Sequence, residues 1–239
     1  MANNYFQFNE FKIIQEVCAM KVCTDSCLFG AWSASIMLDK NINNILDVGA
    51  GTGLLSLMLI QKFPDTICHA IEIDKETSEE ALLNFTNSKW KDKLIVYNQD
   101  FVSFQSNCKY DLIVCNPPFY NNQLASPDSK RNAAMHSSHF SLQDLFKHAK
   151  TLVSSAGYLS CLVPYNRTDE ALEVAAMSGW YIQEICKVKQ TDKHDYFRTM
   201  LLFRNQPTSV NSNEIVIKEN NIYTDKFRSL LMDYYLRFK

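Results

Sequence analysis

Three of the six glycines in this 239-residue chain fall in one heptapeptide, Asp47-Val-Gly-Ala-Gly-Thr-Gly53, between an apolar run and a helical pattern. Gly49, Gly51 and Gly53 there permit a tight turn and let backbone N–H groups approach a ligand that a Cβ would repel. A plain helix-entry turn does not need three alternating glycines, so the pattern predicts a nucleotide-type cofactor. The spacing narrows the choice. A dinucleotide loop, G-x-G-x-x-G, closes on a pyrophosphate at a helix N-terminus. Here Leu54 occupies the place of its third glycine, and glycine comes one residue early. Asp47 would repel a pyrophosphate but suits the cationic amine of an amino-acid tail, directly or through water. Glu72, about 20 residues further on, is placed to take both ribose hydroxyls. Asp100 is placed to accept from an adenine amino group.

A second constellation, Asn116-Pro-Pro-Phe119, follows an apolar run at 112–115. Pro117 and Pro118 fix φ and remove two donors. What remains is a rigid loop edged with acceptors, the Asn116 amide oxygen and the Pro117 carbonyl. Such a pair suits an amino nitrogen whose lone pair is delocalised into a π system. Two acceptors gripping its hydrogens favour a pyramidal nitrogen and offset the charge that develops as it attacks an electrophile. Phe119 supplies a flat face on which a planar substrate can stack.

These residues need a scaffold that brings two loops to one crevice. From residue 44 onward, β-type runs (45–48, 66–73, 94–97, 110–115, 158–163, 180–188, 197–203) alternate with helical patterns (54–63, 75–88, 141–154, 168–177). That alternation implies a mostly parallel sheet with helices on both faces. No helix separates the last two strands, which predicts an antiparallel edge hairpin and seven strands in all. In an open α/β sheet ligands bind beyond the carboxyl ends of the strands, where both loops fall. We read one domain, with a strand/helix extension at 1–43, a Rossmann-like core at 44–205, and a strand/helix addition at 206–239. Ser141 is the expected N-cap of its helix, with Asp144 three residues on.

Composition excludes several functions. No stretch approaches the ~20 apolar residues of a membrane span, and the first residues lack a signal-peptide layout. The eight cysteines lack the CxxC pairs of zinc sites, which predicts free thiols, no metal and a reducing, cytoplasmic setting. A net charge of −2 argues against a generally basic nucleic-acid binder. Local basic runs remain, and Lys187, Lys189 and Lys193 are the candidate phosphate contacts.

The glycine loop with its two downstream acids resembles the class I methyltransferases, and the cofactor implied is S-adenosylmethionine. Asn116–Phe119 matches the [DN]-P-P-[YF] signature of amino-methyltransferases, with Phe119 where Tyr is commoner. DNA adenine enzymes usually carry a separate recognition domain, and release-factor glutamine enzymes a long helical domain before the glycine loop. Neither fits this chain, in which Asp47 arrives early. Cys18-Ala-Met-Lys-Val-Cys-Thr-Asp-Ser-Cys-Leu-Phe-Gly-Ala-Trp32 resembles the start of the bacterial tRNA(Val) adenine-N6 methyltransferases, which modify adenosine 37. The likeness extends to Tyr223-Thr224, Phe227 and Tyr235–Phe238. It implies that Lys21, Thr24 and Asp25 help wall the cofactor site, and that Arg131 meets RNA. Family members often have a second arginine where this chain has Met135, and glycine where it has Cys23. The expectation is a monomeric tRNA (adenine-N6)-methyltransferase. Glutamine methylation of a protein and a non-catalytic RNA partner are the alternatives.

Overall fold

The computed structural model describes residues 4–18, 20–117 and 140–238. Pro118, Phe119, Arg131, Met135 and His136 lie outside the described residues. The chain opens with a short hairpin, β1 (Tyr5–Gln7) and β2 (Lys12–Ile14), turned through Phe8 and Phe11, whose buried rings stack at 4.5 Å. Next come α1 (Thr24–Ser35), β3 (Asn44–Val48), α2 (Leu54–Lys62), β4 (Ile67–Glu72), α3 (Lys75–Thr86), β5 (Leu94–Asn98) and β6 (Tyr110–Cys115). After the undescribed segment follow α4 (Leu142–Leu152), β7 (Val153–Pro164), α5 (Thr168–Met177), β8 (Tyr181–Thr191), β9 (Tyr196–Arg204), β10 (Asn211–Glu219), β11 (Ile222–Tyr223) and α6 (Asp225–Leu231).

The main sheet has the order β11-β10-β8-β9-β7-β6-β3-β4-β5. It is parallel except where β9 runs against both β7 and β8, and where β11 turns back on β10. The central strands are apolar on both faces, as a sheet covered on both sides requires. Leu112 and Val114 of β6 join the core under α1, α2 and α6, while Ile113 and Cys115 join the core under α4 and α5. α4 begins as expected: Ser141 Oγ accepts from the Asp144 N–H, and the Asp144 carboxylate accepts from the Ser141 N–H.

Among the described residues the main sheet has nine strands rather than the expected seven, and the β8–β9 hairpin is not its edge. β10 pairs in parallel with β8, from Asn211 opposite Glu184 to Lys218 opposite Thr191. The physical reason is the length of β8: an eleven-residue strand paired only with β9 would leave its outward N–H and C=O groups as an open edge. β10 satisfies that edge, and α6 folds back over it with Phe227 and Leu231 fully buried. Thr224 caps α6 and donates its hydroxyl to the Val216 carbonyl, which fixes the return.

Candidate active site

β3 lies between β4 and β6, with Val48 opposite both Ile71 and Cys115. The glycine loop, Glu72 and Asn116 therefore leave neighbouring strands at one level, on the carboxyl edge. The strand order reverses there, since β4 and β5 extend the sheet one way and β6 and β7 the other. That is the ligand crevice of open α/β folds. Asp100 follows β5 at the same edge, past the Glu72–Asn98 register pair.

The loop folds back on β4, with the Gly49 and Ala50 N–H groups both donating to the Ile71 carbonyl. Its glycines do two different things. Gly49, Gly51 and Gly53 have φ of 68°, 55° and 78°, the left-handed region that favours glycine. At Gly49 and Gly51 an added Cβ would meet no atom of the described residues within 4 Å, so both border open space. At Gly53 it would stand 2.3 Å from Cε1 of Phe85, so that glycine serves the packing of α2 on α3.

Asp47 is fully buried. Its Oδ2 accepts from the Ser56 N–H (3.0 Å) and the Ser56 hydroxyl (2.7 Å), capping the first turn of α2. Its Oδ1 is buried with no hydrogen-bond partner among the described residues. Burial pushes the carboxyl up to about 6, Ser56 opposes this, and Glu72 adds repulsion. Glu72 accepts from the Gly51 N–H (2.9 Å) and the Asp74 N–H (3.0 Å), and burial raises its pKa too. Asp100 stands exposed, with Oδ1 capping a short turn at the Val102 N–H.

Asn116 is held from behind. Its Nδ2 donates to Ser26 Oγ at 3.1 Å, so the amide oxygen faces the other way. Ser26 lies in the first turn of α1, buried, 3.0 Å from Cys23 Sγ. The spacing of the sequence predicted neither Ser26 nor its role in aiming Asn116, because the pair spans 90 positions. Asp25, one residue earlier, binds the Arg198 guanidinium at 2.9 Å and so ties α1 to β9. Lys21 and Thr24 stand exposed where α1 begins, and Cys23 occupies the N-cap position. The segment leading to α1 is anchored by Glu80 of α3, which accepts from the N–H groups of Glu16, Val17 and Cys18.

Residues 34–167 match the family model described as Methyltransferase small domain. A tRNA1(Val) (adenine(37)-N6)-methyltransferase of Christiangramia forsetii is 35% identical over 99% of this chain and 100% of its own length. One of Bacteroides thetaiotaomicron is 36% identical over the whole of both chains. The chain belongs to this methyltransferase family. In fold, the methyltransferase resembles the crystal structure of a predicted O-methyltransferase from Agrobacterium tumefaciens. The TM-score is 0.65 at 15% identity, over 86% of this chain and 94% of the other.

The methyltransferase is S-adenosylmethionine-dependent, and its residues fit that cofactor. The open space beside Gly49 and Gly51 is a cradle that a Cβ would fill, and Asp47, two residues before it, keeps a buried acceptor without a partner among the described residues. Burial makes the cysteines near α1 poor nucleophiles, and among the described residues they form no metal-binding group. All eight thiols are free, and burial pushes Cys18 and Cys27 up to about 12. Among the described residues no three His, Cys, Asp or Glu side chains converge as metal ligands, and no helix is long and apolar enough to cross a membrane.

The buried Asp47 carboxyl carries a pH signature. Its folded pKa of about 6 lies above the ordinary 3.8, so the unfolded chain ionises it first as pH rises. Stability of the cofactor-free enzyme therefore falls as pH climbs from about 4 to about 6, then levels off. The penalty amounts to at most about 3 kcal/mol. Asp47→Asn is expected to melt higher than the parent at pH 7.5 without cofactor, and this advantage disappears by pH 4. Thermal melts across that range check it; a constant difference would mean that Asp47 is ionised throughout.

Proposed function

We propose that this methyltransferase places a methyl group on N6 of an adenine in tRNA, adenosine 37 of tRNA(Val), acting as a monomer in the cytoplasm. The observation that carries the reading is the aimed amide of Asn116 beside the glycine loop. S-adenosylmethionine, when bound, supplies an electrophilic methyl group on a sulfonium. Asp47, Gly49, Gly51, Glu72 and Asp100 would hold it, with Lys21, Thr24 and Asp25 forming a wall at the start of α1. The Asn116 oxygen and the Pro117 carbonyl accept from the two hydrogens of the target amine. Those contacts strengthen as the nitrogen becomes cationic, which is stabilisation of the transition state by preset dipoles. No strong base is required. The motif assigns Phe119, with Pro118 before it, the face on which the extruded base stacks.

The direct test is incubation of the purified enzyme and S-adenosylmethionine with unmodified tRNA, followed by nucleoside mass spectrometry. One N6-methyladenosine per tRNA supports the reading. Methylation of a release-factor glutamine instead would replace it, and cofactor binding with neither product would mean a non-catalytic role.

Ser26 acts as a positioning residue in this scheme. Without its hydroxyl the Asn116 amide loses the partner that fixes which end faces the substrate. Ser26→Ala is expected to lower single-turnover methylation by roughly 2- to 10-fold, the size of one neutral hydrogen bond, with unchanged cofactor affinity. A normal rate in that variant would show that Asn116 is aimed by other contacts.

A further inference from the structure

Outside the crevice, one partly exposed cluster combines aromatic rings with cations. Tyr165, directly after β7, and Tyr196, the first residue of β9, pair with ring centroids 5.0 Å apart and planes tilted 39°. Lys187 Nζ stands 5.8 Å from the Tyr165 ring and 5.5 Å from the Tyr196 ring. Lys189 Nζ stands 4.6 Å from the Tyr196 ring. Along β8 these lysines alternate with Cys186 and Val188, which are buried in the core, so they occupy the outer side by register. The Tyr196 hydroxyl donates to the Glu214 carboxylate on β10, which locks the inner ring. Tyr165 is the outer ring, 36% exposed.

The cluster shares an edge with Asn116. β7 lies beside β6, with Cys161 opposite Cys115, and Tyr165 stands four residues beyond that level. β8 and β7 both run against β9, so the carboxyl end of β8 faces the same way. The neighbouring charges leave the cluster cationic. Glu214 keeps its negative charge while it accepts from Tyr196, so with Lys187 and Lys189 the cluster carries one net positive charge, and Arg167 is paired with Glu170. Lys193 sits between the exposed Asp192 and Asp195 in the hairpin turn, outside the cluster.

We propose that Tyr165 and Tyr196, with Lys187 and Lys189, form a stacking platform for an unpaired nucleotide of the RNA strand that carries the target adenine. This rests on the reading above. Every base offers a π face, so an exposed ring binds unpaired strands without reading sequence, while flanking cations meet the phosphates. A base-paired helix hides its faces and cannot use the ring. The platform thus selects a loop over a stem, one strand away from the proposed catalytic amide.

The test measures fluorescence anisotropy of a labelled RNA stem-loop and of a blunt RNA duplex, from about 50 to about 200 mM salt. Tyr165→Ala is expected to weaken stem-loop binding by about 5- to 100-fold, with little change in salt dependence. Tyr165→Phe keeps the ring and stays within about twofold of the parent. The double variant Lys187→Ala/Lys189→Ala flattens the log–log salt slope by about 1.4. Melting temperature and S-adenosylhomocysteine affinity of Tyr165→Ala report on its folding. Parental affinity of a folded Tyr165→Ala, or an equal loss on the duplex, overturns the proposal. Methylation of tRNA adenine by the parent is measured in parallel. Its absence overturns the functional reading, while the affinities still decide the platform.

Discussion

Replacing Asn116 with alanine is expected to lower turnover by roughly 10²–10³, the size found when one preset partner of a developing charge is removed. The amide leaves β6 immediately after Cys115, and Ser26 holds its nitrogen. Its oxygen is therefore oriented before substrate arrives and needs no reorganisation during methyl transfer. The contact strengthens only as the amine becomes cationic, so the loss falls on the chemical step. Cofactor affinity is expected to change little, because the glycine loop and Glu72 belong to the neighbouring strands. Asn116→Asp retains part of the activity, since a carboxylate still accepts from the amine and Ser26 can donate to it. Single-turnover rates at saturating tRNA, beside calorimetry with S-adenosylhomocysteine, separate the two effects. A normal rate in Asn116→Ala would remove the amide from the mechanism.

The second large effect divides the glycines. Gly53→Ala drives a methyl group into Phe85 and holds alanine at a φ of 78°, so overpacking and backbone strain add. A loss of ~2–6 kcal/mol of stability is expected, from about 1–3 for each cause. Gly51→Val carries the strain of positive φ, but its Cβ meets nothing within 4 Å among the described residues. That variant should fold and yet fail to bind cofactor, because its side chain fills the cradle. Denaturant melts and calorimetry on both variants decide the matter. Unchanged cofactor affinity in folded Gly51→Val would place the ligand elsewhere.

What could be read without coordinates was whatever repeats at short range. Apolar runs of strand length, broken by helical periods, specified a parallel sheet covered on both faces. The glycine spacing and the acids after it specified the kind of cofactor. Asn116-Pro117 reads as an acceptor pair, because two prolines leave few other reasons for an asparagine there, and that role is the proposal tested by Asn116→Ala. The resemblance at 18–32 pointed to the family. Other facts depend on contacts between residues far apart in the chain, which local patterning does not encode. The addition at 206–239 reads as a strand and a helix, but only the packed sheet decides that β10 closes the edge of β8, since an unpaired strand carries no signal for its partner. Gly53 looks like its two neighbours in sequence, and only Phe85 on α3 separates its duty from theirs. Asp47 was expected to face the ligand. The fold gives one of its oxygens to Ser56, because the strand that carries it ends against a helix N-terminus, and the other has no partner among the described residues. Ser26 behind Asn116, and Tyr165 beside Tyr196, arise in the same way: each joins two segments that meet only once the sheet has closed.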